Sequence, residues 1–236
     1  MDNSIFQRRE IKFLVDSRQR ALLEQAFRGR MVPDPHGEST ICNVYYDTPD
    51  YRLVRTSLEK PVYKEKLRMR SYGRVNGEEA VFLELKKKND GVVYKRRISL
   101  RQRDAAAYMA GLSPLPEGSQ IGRELDYFRR FYEGLRPAVY LCYDRSAWFS
   151  SEDPDFRATF DNNIRWRRED MSLCAPVGGE TLLLPSQSLF EVKTADAVPL
   201  WLVEALDAGG IRQASFSKYG EAYKAICMER LGVTCA

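Results

Sequence analysis

Charged side chains recur at every second position in most of the segments of this chain that have the composition of β-strands. These segments are rich in Val, Ile, Tyr and Phe or alternate in polarity, and they lie near 8–14, 41–47, 61–72, 79–88, 91–100, 138–149, 156–165 and 188–194. Because alternate residues of a strand point to opposite faces, nearly every one of these strands has one apolar and one charged face. The charged faces carry Arg8, Glu10, Lys12, Lys66, Arg68, Arg70, Glu84, Lys86, Lys95, Arg97, Tyr143, Arg145, Arg157, Thr159, Asp161, Glu191 and Lys193.

This alternation has two explanations. In an ordinary sheet the charged face meets water, and that explains any single strand. A solvated face usually mixes Thr, Ser, Gln, Glu and Lys, whereas these faces are dominated by Arg and Lys over most of the strands. Short turns between successive strands favour an antiparallel sheet, and eight strands are enough to close a barrel. We therefore predict an α+β fold, a closed antiparallel eight-stranded β-barrel (a tunnel fold) with helices packed on the outside.

The composition of the chain indicates what kind of protein it is and excludes some classes of protein. The 236 residues show no composition break, so we expect a single domain over 1–236. A charged fraction of 30% argues against a membrane span, and the first residues lack the features of a secretory signal. Five scattered cysteines favour reduced thiols, so we expect a cytoplasmic protein. Helical patterns are predicted at 17–28, behind Asp16 as N-cap, and at 105–110, 123–133, 200–208 and 218–230.

The single histidine excludes several chemistries. His36 lies in the stretch PDPHGES, which predicts a solvated loop, and Ser-His-Asp or Cys-His catalysis needs a histidine base. Neither a GxxxxGK[ST] phosphate loop nor a GxGxxG fingerprint is present. The chemistry of this chain must therefore rest on Lys, Arg, Asp, Glu and Tyr. The neighbouring Tyr45 and Tyr46 have two interpretations, packing in the core or contact with a nucleobase.

A barrel with its charged face inward would enclose a basic lumen. Many cations in such a cavity repel one another, so the empty lumen calls for a polyanion. Duplex nucleic acid is too wide for an eight-stranded barrel, and we expect no nucleic-acid partner. A linear phosphate chain is slim enough to enter.

Nine short pieces, in order, resemble a known family over almost the whole chain. They are EIKF at 10–13, NVYYDT at 43–48, KLRMRSYG at 66–73, VFLELKKKND at 81–90, YKRRISL at 94–100, RPAVYLCYDRSAW at 136–148, RATFD at 157–161, LFEVKT at 189–194 and SFSKYG at 215–220. With these pieces the chain resembles the catalytic domain of the vacuolar transporter chaperone (VTC) polyphosphate polymerases, in the CYTH-like superfamily of triphosphate tunnel metalloenzymes. The resemblance implies a tunnel that binds a nucleotide and a growing phosphate chain.

The resemblance, taken with the charged faces, assigns roles to individual residues. The catalytic candidates are Lys12, Arg68, Arg70, Lys86, Lys95, Arg145 and Lys193. The substrate-binding candidates are Arg8, Lys66, Arg97, Tyr143, Arg157, Ser217 and Lys218. Glu191 is the implied ligand of a divalent metal, Mn²⁺ or Mg²⁺, and Glu10 and Glu84 are further candidates.

The chain departs from the expected patterns at two positions. Ser215 stands where members of the family have a basic residue before Phe-Ser-Lys, so the phosphate contact that the resemblance implies there is not assigned to this chain. Tunnel triphosphatases open with Glu-x-Glu-x-Lys, and here the first position is Arg8. Replacing a carboxylate with a cation favours the binding of long polyanions over metal-rich hydrolysis.

These observations lead to one function and two alternatives. We expect a metal-dependent polymerase that transfers the terminal phosphoryl group of ATP to phosphate or polyphosphate. The acceptor oxygen of a polyphosphate is already ionised near neutral pH, so no general base is needed. The alternatives are a tripolyphosphatase or nucleoside triphosphatase of the same fold, and a non-catalytic polyphosphate-binding module. A membrane protein that takes over the product is a further possible partner.

Overall fold

Nine strands and six helices make up the regular structure of the described residues. The structure is a computed structural model, and it describes residues 9–90, 92–115 and 119–232, without the side chain of His36. The strands are β1 (Arg9–Asp16), β2 (Met31–Asp47), β3 (Tyr63–Tyr72), β4 (Ala80–Asn89), β5 (Val92–Arg101), β6 (Arg136–Ser150), β7 (Arg157–Arg167), β8 (Glu180–Thr181) and β9 (Gln187–Thr194). The helices are α1 (Ser17–Phe27), α2 (Arg52–Leu58), α3 (Gln102–Met109), α4 (Gln120–Phe131), α5 (Leu200–Ala208) and α6 (Lys218–Arg230).

The chain divides into two compact units. Unit 1 contains the described residues of Met1–Thr40, Tyr143–Ile164 and Thr181–Ser217. Unit 2 contains those of Ile41–Cys142, Arg165–Glu180 and Lys218–Ala236. The single domain over 1–236 stays a prediction.

In unit 1, the strands β1, β9 and β7 are successive neighbours and pair antiparallel. Their apolar face packs against α1 and α5, because each strand alternates polar and apolar residues with a period of two. Phe27 of α1 lies at the centre of this core and contacts the rings of Phe160, Phe190 and Trp201. Asp16 caps α1 as the sequence predicts, accepting a hydrogen bond from the backbone N–H of Gln19 at 2.8 Å.

In unit 2, the strands β2, β3, β4 and β5 follow one another in space as they do in sequence, and they pair antiparallel. Val44, Met69 and Leu83 lie in the apolar core, which α3 and α4 cover with Tyr108 and Phe128. Helices therefore cover the apolar face of the sheet in both units. The predicted antiparallel sheet with helices packed on its apolar side is confirmed.

Three sequence predictions need correction or stay open. The stretch around His36 belongs to β2 and is not a loop. The fixed φ of Pro33 and Pro35 is compatible with extended backbone, and the local departure from it falls on Gly37, which tolerates its positive φ of 65°. The predicted strand count was about eight, and the described residues add the two-residue β8, which pairs with β7. Among the described residues β1 and β5 end the order of paired strands, so closure into a barrel stays a prediction.

Helix α2 has no counterpart among the predicted helices. Its N-cap residue, Tyr51, has a left-handed φ of 60° and no capping side chain. Asp47, at the end of β2, supplies the cap from a distance and accepts hydrogen bonds from the backbone N–H groups of Leu53 and Val54 at 2.8 and 3.0 Å. A short helix capped from a preceding strand leaves no local start signal in the sequence.

No helix in the described parts of the chain is long and apolar enough to span a membrane.

Candidate functional site

Two sets of charged side chains lie on the charged faces of the sheet, one in each unit. In unit 1 we call Glu10, Lys12, Arg145, Asp161 and Glu191 the Glu191 network. Lys12 Nζ lies 3.1 Å from Glu10 Oε1 and 3.5 Å from Glu191 Oε1. Arg145 binds Asp161 through two contacts of 2.6 and 2.7 Å, and its Nη2 lies 3.6 Å from Glu191 Oε2. The network therefore joins two cations to three carboxylates.

The register of the strands explains why these residues meet. The Cα partner of Glu191 is Lys12 on β1 and Thr159 on β7, and directly paired residues share a face. In the next row Lys193 pairs with Glu10 and with Arg157. The sheet thus places Lys12, Arg157, Glu191, Lys193 and Glu10 on one face, as the alternation predicts.

Other predicted residues of unit 1 surround this network. Arg157 lies 3.6 Å from Asp34 and 4.5 Å from the centroid of the Phe149 ring. Tyr143 is buried, and the Arg145 guanidinium lies 5.2 Å from the centroid of its ring. Arg8 lies outside the described residues, and its role stays a prediction.

A divalent cation requires oxygen donors, and the Glu191 network offers them. Within the described residues no three His, Cys, Asp or Glu side chains form a group that could hold a metal ion by themselves. Mg²⁺ at phosphate-transfer sites is usually held by one or two carboxylates together with substrate phosphates. Glu191 is 5% exposed, and it shares Lys12 with the more accessible Glu10. This donor set fits a nucleotide-bound cation and does not form a complete protein cage.

In unit 2 we call Arg68, Arg70, Glu84 and Lys95 the Glu84 cluster. Glu84 is 2% exposed, and its carboxylate lies 2.7 Å from both Arg68 and Lys95 and 3.6 Å from Arg70. Arg70 also donates a hydrogen bond to Asn43 Oδ1 at 3.1 Å. Three cations thus converge on one buried carboxylate.

The remaining cations of unit 2 lie beside this cluster. Lys66, Lys86 and Lys95 are Cα partners in one row across β3, β4 and β5. In the next row, Glu84 pairs with Arg68 and Arg97. The alternation therefore places all the predicted cations of β3, β4 and β5 on one face, as expected. Three cations already contact the carboxylate of Glu84. Metal binding by this residue stays a prediction.

The Glu84 cluster shifts the pKa values of its members. Burial raises the pKa of Glu84, but Arg68, Arg70 and Lys95 outweigh burial and hold this pKa at about 2. Desolvation lowers the pKa of Lys95, Glu84 opposes that effect, and Arg70 and Arg68 add to it, which brings this pKa to about 8. Lys95 therefore loses its positive charge as the pH rises through about 8.

We expect the binding of tripolyphosphate to weaken as the pH rises from 7 to 9, because Lys95 loses its proton near pH 8. Loss of one charge-assisted contact should lower the affinity roughly tenfold. Calorimetric titrations across this range measure the effect. Lys95→Arg is the control, since arginine stays charged across this pH range. Any effect of the ligand's own protonation is the same for both proteins and cancels in the comparison. Parallel pH profiles of the two proteins would contradict the assignment.

Sequence reasoning missed a set of residues that hold Arg68. Arg68 Nη1 donates to the hydroxyl of Tyr45 at 3.1 Å, and the Tyr45 ring stacks on Tyr219 with centroids 4.8 Å apart. Tyr219 in turn donates to buried Asp47 at 2.7 Å. Asp161, the bidentate partner of Arg145, was also missed. Its position on the charged face was the only signal, because a strand pattern does not say which charges pair.

Lys218 begins α6, as the sequence predicts, and Ser217 immediately precedes it. Phosphate oxygens are commonly bound at helix N-termini. In unit 1, the segment before Ser217 is tied to β1, because Lys12 Nζ donates to the carbonyl of Phe216 at 3.1 Å and Ala214 N–H donates to the Lys12 carbonyl at 2.7 Å. Lys12 thus contacts both the carboxylates of its network and this segment.

Comparisons with known proteins agree with the resemblance. A curated relative, subunit 4 of the vacuolar transporter chaperone complex from Schizosaccharomyces pombe, is 25% identical over an alignment of 154 residues that covers 56% of this chain. The match covers 21% of that relative's length. Two solved structures share the fold. A candidate adenylate cyclase from Bacillus halodurans has a TM-score of 0.55 at 17% identity, covering 91% of this chain and 94% of that one. A candidate adenylate cyclase from Vibrio parahaemolyticus has a TM-score of 0.50 at 13% identity, covering 92% and 97%.

The family comparison covers nearly all of the chain. The model of the VTC domain matches residues 7–227, which include the Glu191 network, the Glu84 cluster and the start of α6. Its span also contains the nine sequence pieces on which the resemblance rests. The chain therefore belongs to the VTC domain family.

Proposed function

We propose that this chain is a polyphosphate polymerase that transfers the terminal phosphoryl group of ATP to a phosphate or polyphosphate acceptor. The observation that carries the proposal is the Glu84 cluster, in which three cations share one buried carboxylate. Such a cluster holds its cations in place before the substrate arrives, and fixed cations stabilise the charge of a transferred phosphoryl group. Membership of the VTC domain family supports the same function.

In the proposed reaction, the terminal oxygen of the acceptor attacks the γ-phosphorus of ATP in line with the leaving ADP. In unit 2, Arg68, Arg70 and Lys95 bind the phosphoryl oxygens. In unit 1, Arg145 and Lys12 are the cations that bind phosphate. Because the acceptor oxygen is ionised, no side chain has to remove a proton.

A divalent cation held by Glu191 and Glu10, with phosphate oxygens as further ligands, would neutralise charge on the transferred group. We keep Mn²⁺ and Mg²⁺ as the candidates, since both prefer oxygen ligands. Asp161 has a supporting role in this proposal. It contacts Arg145 at 2.6 and 2.7 Å, closer than the 3.6 Å between Arg145 and Glu191, and so orients the guanidinium. An enclosed tunnel around the polyanion is also part of the proposal.

Gel analysis of the products formed from ATP and Mn²⁺ tests this function directly. The polymerase should yield phosphate chains that lengthen with time, and ADP should form in proportion to the phosphate incorporated. Release of orthophosphate without chains would identify a hydrolase instead. Binding of polyphosphate without any product would identify a non-catalytic module.

A further inference from the structure

An exposed aromatic pair lies at one end of the charged face of unit 2. Tyr72 is the last residue of β3 and is 57% exposed. Phe82 of β4 is half-buried and stands edge-on to Tyr72, with ring centroids 6.1 Å apart and an angle of 84° between the planes. Tyr45, which lies on the same charged face opposite Arg68, is only 9% exposed, so packing in the core does not account for the accessible ring of Tyr72.

The register of the strands places this pair beside the arginines of the Glu84 cluster. Phe82 is the Cα partner of Arg70, and Tyr72 follows Arg70 by two positions on the same face. At about 3.4 Å per residue, the Cα of Tyr72 lies about 7 Å beyond that of Arg70 along β3. The Arg97 guanidinium lies 5.0 Å from the centroid of the Phe82 ring, so a cation also borders the pair. Cations that can bind phosphate therefore lie directly beside an aromatic surface.

We propose that Tyr72 and Phe82 form the nucleobase-binding surface of this chain, with the Tyr72 ring stacked on the base. The proposal rests on the proposed function, because it takes a nucleotide as the ligand of the adjoining cations. A nucleobase suits the surface, since every base has a π-face and stacks on an exposed ring without a specific hydrogen bond.

The tyrosines next to Arg68 do not offer such a surface. Tyr45 and Tyr46 are 9% and 6% exposed. Tyr45 stacks on Tyr219, and Tyr46 lies in the apolar core. The pair that the sequence singled out therefore packs inside unit 2, and Tyr72 presents the accessible ring on the charged face.

Binding of ATP compared with tripolyphosphate tests the proposal, because only ATP carries a base. Isothermal titration should show that Tyr72→Ala weakens ATP binding about tenfold and changes tripolyphosphate binding less than twofold. Tyr72→Phe should retain the affinity for ATP, since stacking needs the ring and not the hydroxyl. Tyr127→Ala is the matched control, because Tyr127 is 61% exposed on α4 of the same unit. It should change neither affinity.

Each other outcome has a defined meaning. Equal losses for ATP and tripolyphosphate in Tyr72→Ala, or no loss for either, would overturn the nucleobase surface. Wild-type protein that binds tripolyphosphate but not ATP would also overturn it, while leaving the phosphate-binding cations intact. Wild-type protein that binds neither ligand would overturn the proposed function itself.

Discussion

Glu191→Gln should lower the rate of polyphosphate synthesis by roughly two orders of magnitude or more while leaving polyphosphate bound. The substitution keeps the shape of the side chain and removes the charge that would hold a divalent cation, and loss of a main electrostatic term in phosphoryl transfer has about this size. Polyphosphate binding should be unchanged or tighter, because one negative charge beside Lys12 and Arg145 is gone. Initial rates of synthesis should be measured against Mn²⁺ concentration, and polyphosphate binding should be measured in a separate titration. Together these measurements distinguish a loss of catalysis from a loss of binding.

A structural role for Glu191 makes the opposite prediction. If this carboxylate serves only as counter-ion to Lys12 and Arg145, the variant should lose stability and keep its activity. Glu24→Gln is the control for a general effect of losing a glutamate, since Glu24 pairs with Arg20 within α1. Synthesis at the wild-type rate by Glu191→Gln, at any Mn²⁺ concentration, would remove Glu191 from the metal site.

The charged faces could be predicted from the sequence because their cause is local. A strand has a period of two whatever surrounds it, so Arg68, Arg70 and Glu84 had to share faces with their own strand neighbours. Asn89 at the end of β4 pairs with Val92 at the start of β5, and this register brings Lys95 beside Lys86. For these strands the alternation and the observed pairing agree.

The partners of the charged side chains could not be predicted in the same way. Arg145 and Asp161 lie on different strands, and many other pairings would satisfy the same alternation. The helix α2 and its cap by Asp47 depend on where β2 ends in space. Contacts of this kind are set by tertiary packing and leave no periodic signal.

The balance of charge is where the structure changes the expectation most. The sequence suggests a strongly self-repelling basic surface, since cations dominate the alternating positions. The structure instead sets buried carboxylates among the cations. Glu84 contacts three of these cations, and Asp161 forms an ion pair with Arg145. Repulsion between cations is therefore offset before any phosphate binds, and the stability of unit 2 should depend on Glu84.

Glu84→Gln should destabilise the ligand-free protein by about 3–5 kcal/mol, because it leaves Arg68, Arg70 and Lys95 without their shared counter-ion in a buried position. Denaturant unfolding measures this loss. Glu124→Gln is the matched control, since Glu124 also contacts two cations, Lys87 and Arg96, but is more exposed at 23%. The control should cost about 1 kcal/mol or less.

Two further measurements separate this counter-ion role from a simple packing defect. Tripolyphosphate should restore more stability to Glu84→Gln than to wild type, because its phosphates replace the missing negative charge. The folded pKa of Glu84, about 2, lies below its ordinary value of 4.5, so its stabilising effect is complete above pH 4.5 and is lost as the pH falls toward 2. The difference in stability between wild type and Glu84→Gln should shrink over that range. A difference that stays constant with pH, or equal rescue of both proteins, would mean that the charge of Glu84 does not stabilise the cluster.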